Sequence, residues 1–276
     1  MDSFTKFRDE FSLKHDWPIL TTEFSYYLAY MSKRGYAYTT VRSYVAGISF
    51  FNKLNNFEDV TQKFVIVKIL EGFKRSRPSK DARLPMAISR DLLAKIIKVT
   101  PVVCITSIYE SKLFSAAFSI TFHGLFRIGE ITKDSQSKAE HFIRLQDITM
   151  FPDRVEVCVP SSKTDQLGRG TTVVILSQRD INVCPVKTLK EYLLVRGSYS
   201  GPLFCHFDKI PPSRYQFNAV LKKALAYLNI PAQGYKNHSF RIGMATALCA
   251  DGRSDEEIKR MGRWKSSAFQ GYIRVC

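Results

Sequence analysis

The chain has 276 residues, enough for one large domain or two ordinary ones, and at 45% hydrophobic residues it can bury a sizeable core. No apolar run approaches the roughly 20 residues that a bilayer-spanning helix needs, which argues against a membrane protein. Lys and Arg number 41 against 25 Asp and Glu, a net charge of +16 spread along the whole chain. Such an excess points to a polyanionic partner, nucleic acid first, with a merely soluble basic protein as the plainer alternative.

The opening stretch, MDSFTKFRDEFSLKHDWP, mixes charged and apolar residues and lacks a signal-peptide core. The expected location is therefore intracellular, and nuclear if the host is eukaryotic. TTEFSYYLAYMSKRGY predicts a helix stopped by Gly35. TTVRSYVAGISFFNKLN places Val41, Tyr44, Ile48, Phe51 and Leu54 at helical spacing, with Thr39 as the N-cap. VTQKFVIVKILEGFKRS predicts a further helix. Three or four short helices over residues 1–75 would form a compact bundle. FKRSRPSKDARLPMAIS then brings Lys74, Arg75, Arg77, Lys80 and Arg83 together with two prolines and no periodicity. Residues 76–88 read as a linker, either a solvated tether or a strap along phosphates.

A second domain, 89–276, opens at Ser89 with a helix cap. The long helical stretch ESKLFSAAFSITFHGLF leads to Arg127. LQDITMF, RVEVCVP and TTVVILS alternate and are rich in β-branched residues, so they predict three antiparallel strands, with SSKTDQLGRG joining the last two. Helices return with VKTLKEYLLVRG, SRYQFNAVLKKALAYLN and HSFRIGMATALCADG. SDEEIKRMG carries a capping box, Ser254 and Glu257, with Gly262 at the C′ position. The fold class is thus mainly α with a small antiparallel sheet. The six cysteines, Cys104, Cys158, Cys184, Cys205, Cys249 and Cys276, lack metal-site spacing, and no metal or cofactor is expected.

Taken singly, the chemistry-bearing residues have plain readings. Arg127 could pair with Glu130, and Lys163 could be a solvated turn lysine. His238 and Arg241 share one face of a helical turn, a weak signal by itself. Trp264 and Tyr272 could be packing residues. Together they form a set suited to phosphodiester transesterification. Guanidinium groups fork onto nonbridging oxygens, a phenol attacks phosphorus, and a lysine protonates the departing sugar oxygen. His238 and the Trp264 indole can each hold an oxygen.

FRIGEIT, SSKTDQLGRG, HSFR and GRWKSSAFQGY occur in the order in which the tyrosine recombinase (phage integrase) family carries its motifs, and the chain resembles that family over nearly its whole length. The GRWKSSAFQGYIR wording looks closest to eukaryotic mobile-element members of the Crypton type. The resemblance implies a helical core-binding domain and a mixed α+β catalytic domain closing as a C-shaped clamp on double-stranded DNA. It implies Arg127 and Arg241 on the scissile phosphate, Lys163 as general acid and His238 in phosphate binding and proton transfer. Trp264 fills a position that is histidine in many members, Tyr272 is the nucleophile that becomes linked to the 3′ phosphate, and Glu130 is a supporting acid. Lys74, Arg75, Arg77, Lys80, Arg83 and Arg42 are candidate DNA contacts. The expected activity is metal-independent strand cleavage and rejoining for site-specific recombination or for transposon integration and excision, with self-association as a dimer or tetramer on DNA. A domesticated, noncatalytic DNA-binding protein and a type IB topoisomerase-like enzyme are the alternatives.

Overall fold

The structure is a computed structural model that describes residues 2–76, 84–133, 142–160 and 170–274. It divides into two compact units, Met1–Arg83 and Leu84–Cys276.

The first unit is helical: α1 (Asp2–Glu10), α2 (Thr21–Lys33), α3 (Tyr38–Leu54), a short 3-10 turn (Val60–Gln62) and α4 (Phe64–Ser76). Its core gathers Phe4, Phe7, Phe24, Tyr27, Leu28, Met31, Val41, Val45, Ile48, Ile66 and Phe73. Gly35 follows α2 in the left-handed region, at φ 82°, as a helix-stopping glycine should. Two details of α3 depart from expectation. Ala37 occupies the cap position and makes no side-chain cap bond, so Thr39 is not the N-cap. The buried stripe is Val41, Val45, Ile48 and Asn52, while Tyr44 and Phe51 sit at its edge and Leu54 is exposed. The spacing of 4, 3 and 4 residues is as helical as the predicted one. Burying the Asn52 amide with no side-chain hydrogen bond is the polar choice that hydrophobic spacing misses. Lys74 and Arg75, shared by the predicted helix VTQKFVIVKILEGFKRS and the basic stretch that follows it, form the last turn of α4.

The second unit begins with residues 84–89, which belong to its packing and not to a free tether. Met86 N–H donates to the Gly234 carbonyl at 3.0 Å, Ile88 N–H donates to that of Ser239 at 3.1 Å, and Ile88 is fully buried. Ser89 caps α5 (Arg90–Val103) by accepting from Leu92 N–H. Next comes α6 (Ile108–His123), buried on all sides from Leu113 to His123. A helix buried all round must hide its polar side chains. Thr121 Oγ1 donates to the Ala117 carbonyl, and Ser119 Oγ donates to that of Val183 at 2.7 Å. The short α7 (Ile128–Ile131) follows Arg127.

Strands β1 (Ile148–Met150), β2 (Arg154–Val159) and β3 (Thr171–Leu176) form an antiparallel sheet in the order β1-β2-β3, with Val157 opposite both Ile148 and Val173. The alternation is legible in β2, where Val155, Val157 and Val159 are buried and Cys158 is exposed. Four helices complete the unit: α8 (Pro185–Arg196), α9 (Arg214–Tyr227), α10 (Ser239–Ala250) and α11 (Asp255–Met261). A 3-10 turn, Ser267–Tyr272, ends the described fold. Gly243 lets α10 approach the extended segment at Ile88, since a Cβ there would stand 1.8 Å from the Ile88 carbonyl oxygen. Among the described residues, no helix is long and apolar enough to cross a membrane.

Candidate active site

Four pieces of the second unit converge: the α6–α7 corner, the start of α10, the Gly262–Trp264 turn and the closing 3-10 turn. Arg241, the third residue of α10 after Ser239 and Phe240, is the most enclosed member, 1% exposed. Its Nη1 donates to the Leu125 carbonyl and its Nη2 to that of Gly262 at 2.7 Å. Its Nε has no partner. The Trp264 ring lies 4.3 Å beneath the guanidinium and the Tyr272 ring 5.6 Å away. Burial first, then repulsion from Arg127 and Arg263, pulls Arg241 down to about 10, so it stays charged at neutral pH.

Arg127 stands at the N-cap of α7, half-buried, with its backbone N–H held by Glu130 Oε2 at 2.9 Å. The Arg127 Nη1 contact to Glu130 Oε1 is longer, 3.3 Å. The main partner of Glu130 is another residue. Arg263 places both Nη atoms on the two carboxylate oxygens at 3.2 and 2.9 Å. The local ion pair with Arg127 thus describes only part of what Glu130 does.

His238 occupies the N-cap position of α10 without a side-chain cap bond, its ring 6.1 Å from that of Tyr272 at a steep angle. Its pKa lies below the ordinary histidine value. Partial burial of the ring is the main cause, followed by the charges of Arg241, Arg214 and Arg127. Trp264 and Tyr272 rings meet at 5.2 Å. Two backbone contacts anchor the tyrosine turn to α10: Arg274 N–H donates to Thr246 Oγ1 at 3.0 Å, and Thr246 Oγ1 donates to the Tyr272 carbonyl at 3.5 Å.

Arg127, Glu130, His238, Arg241, Trp264 and Tyr272 therefore come together, although they span much of the unit's sequence. Lys163 lies outside the described residues, in the 161–169 stretch between β2 and β3, as do Arg77, Lys80 and Arg83. Arg42, Lys74 and Arg75 are exposed on helices of the first unit. Hydrophobic spacing gave no sign of Arg263, which lies in a turn, or of Arg214, a polar position at the start of α9. The turn at Gly262 also differs from expectation. Gly262 ends α11 at φ −83°, and the left-handed residue is Arg263, at φ 56°. The glycine is needed for space, since a Cβ on it would stand 1.6 Å from the Trp264 ring.

No family model matches the chain. An integrase/recombinase XerD homolog from Selenomonas ruminantium is 26% identical over 157 residues, 55% of this chain and 43% of that protein, so the match spans less than half the length of the relative. Solved structures are alike at the level of fold. A XerH site-specific recombinase bound to palindromic difH substrate gives a TM-score of 0.67 at 16% identity, covering 98% of this chain and 75% of that one. A Tn1549 transposon integrase in complex with transposon right end DNA gives 0.63 at 12% identity, covering 94% and 82%. A lambda integrase dimer bound to a COC′ core site gives 0.53 at 14% identity, covering 93% and 65%. The fold is that of the tyrosine recombinases. The mainly helical chain with one small antiparallel sheet matches the expected fold class, and the converging arginines lie in the second unit.

Proposed function

We propose that the chain is a tyrosine recombinase that cleaves and rejoins duplex DNA through a 3′-phosphotyrosyl intermediate, in site-specific recombination or the integration and excision of a mobile element. The observation that carries the reading is Arg241. A buried guanidinium with an unpartnered Nε, beside a tyrosine, a neutral-leaning histidine and a second arginine, is a site short of an anion. A phosphodiester supplies one. Arg127 and Arg241 bind its nonbridging oxygens and stabilise the charge that builds on them.

The Tyr272 oxygen attacks phosphorus, and the bond to the 5′ oxygen breaks. The phenol proton passes to His238, which its depressed pKa keeps able to accept one. Lys163 delivers a proton to the leaving 5′ oxygen. Trp264 serves as a platform under Arg241 and against Tyr272. Rejoining reverses these transfers. Two relatives of the fold are described as DNA complexes, which supports DNA as the substrate. The GRWKSSAFQGYIR wording supports an affinity with eukaryotic mobile-element members, and strand exchange calls for self-association on DNA.

The test is covalent capture. The protein is incubated with fragmented genomic DNA from its source in excess EDTA, and SDS-stable adducts are recovered and sequenced. Wild type should yield adducts at defined sites, and Tyr272→Phe should yield none while still binding DNA. Absence of adducts with wild type, or undiminished adducts with the variant, would overturn the reading. Supercoil relaxation by a monomer with no exchange between duplexes would favour the topoisomerase alternative.

A further inference from the structure

We infer that Arg263 is a positioning residue for the cleavage step, acting through Glu130 and the Leu125 carbonyl on both phosphate-binding arginines. The inference rests on the recombinase reading above. Arg241 is held by two carbonyls, those of Leu125 and Gly262, which come from segments far apart in the sequence. Arg263 spans the same two segments. Its backbone continues from Gly262, and its side chain crosses to Glu130 with two hydrogen bonds and reaches the Leu125 carbonyl at 3.4 Å. The spacing of the two acceptors of Arg241 is thus set by the reach of one neighbouring side chain.

Glu130 extends the same control to Arg127. The Arg263 and Glu130 side chains are 6% and 5% exposed, so neither is solvated by bulk water. A buried carboxylate needs cationic partners. With Arg263 forked onto it, Glu130 leaves Arg127 held mainly through its backbone N–H, at 2.9 Å, and only loosely through Nη1, at 3.3 Å. Without Arg263, Arg127 is the nearest cation able to neutralise the carboxylate, and its guanidinium would be drawn off the phosphate. The backbone adds an independent sign. Arg263 is held at φ 56°, a region a non-glycine residue seldom adopts, and its guanidinium lies over the Phe126 ring at 5.0 Å. The strained backbone aims the side chain inward, whereas its neighbours Lys265 and Ser266 are exposed.

The experiment uses the full chain and a DNA site recovered by covalent capture. Single-turnover adduct formation is followed at saturating DNA for wild type, Arg263→Met and Arg263→Lys. Two substrates are compared, ordinary DNA and DNA with a methylphosphonate at the scissile position, where one charged nonbridging oxygen becomes a methyl group. On ordinary DNA, Arg263→Met should be slower by about 10- to 100-fold, the scale of a misplaced reacting group, with DNA affinity little changed. On the methylphosphonate the deficit should shrink to a few-fold, because less charge has to be met by two well-placed arginines. Arg263→Lys, which keeps the charge but cannot fork, should fall between and carries the comparison if Arg263→Met does not fold. Equal loss on both substrates would mean a merely structural role, and wild-type rates would mean none. Either result overturns the inference. Failure of wild type to form any adduct would instead sink the recombinase reading itself.

Discussion

A guanidinium that is 1% exposed yet protonated is an unusual thing to build, and Arg241 shows what it requires: two carbonyl acceptors, an indole face and a carboxylate nearby. Lys163 was equally readable as a chemical type, and its role can be tested apart from its charge. If it protonates the leaving 5′ oxygen, replacing that bridging oxygen by sulfur removes the need for a proton. Lys163→Ala should then be slow on ordinary DNA by about 10²- to 10⁴-fold, and close to wild type on the 5′-bridging phosphorothioate. Arg127→Ala and Arg241→Ala should be slow on both, because the charge they stabilise lies on other oxygens. Lack of sulfur rescue would pass the acid role to His238. His123, at the end of α6, makes a residue-scale prediction about stability. Burial, with help from the charge of Arg90, lowers it from the ordinary 6.5 to about 4. The unfolded chain therefore binds this proton first as pH falls, and stability drops between about pH 6.5 and 4 by up to ~3 kcal/mol. Chemical denaturation of wild type and His123→Gln across that window should show a shallower acid slope in the variant. Parallel slopes would mean that His123 is not the group responsible.

Elements were legible where one force dominates and obscure where packing has alternatives. Strands β2 and β3 read directly from β-branched alternation, because a sheet with one buried face imposes a period of two. The capping box of α11 read directly too, since Ser254 and Glu257 satisfy backbone groups locally. The α3 stripe did not, because one rotation of a helix with apolar residues on several sides buries Asn52 and exposes Leu54. Likewise Gly262 looked like a left-handed stop, and the reason for it is the Trp264 ring, a contact no local pattern encodes. That contact makes a prediction. In Gly262→Ala the new methyl group and the indole ring compete for the same space. The ring should leave the Arg241 face, so adduct formation should fall by more than tenfold and the melting temperature should drop. Gly252→Ala, at φ 74° in open space, should show a modest melting shift and unchanged cleavage. Equal cleavage by both variants would mean that the indole platform does not matter to the chemistry.

At the scale of the whole molecule the dominant property is charge, +16 over 276 residues, and its use does not depend on any single contact in the active site. The proposed chemistry would occupy a few side chains of the second unit, while Lys74 and Arg75 lie in the last turn of α4 in the first and Arg77 follows them in the sequence. The two described side chains are exposed, and the Arg75 contact to Glu71 is a long surface pair at 3.4 Å. Surface pairs of this kind contribute little to stability, so these cations can be removed without a folding penalty that would confuse the result. If the basic stretch lies on phosphates, each contact adds a slope of about −0.9 to log K against log salt. The triple change Lys74→Gln, Arg75→Gln and Arg77→Gln should then flatten the slope by up to about 2.7 by the same rule, and weaken binding most at low salt. Cleavage at saturating DNA should be unchanged, because none of the three belongs to the proposed catalytic set. A flattened slope with normal single-turnover cleavage would separate holding DNA from cutting it. An unchanged slope would mean that this basic stretch does not lie on DNA, and Arg42 on α3 would be the next to neutralise.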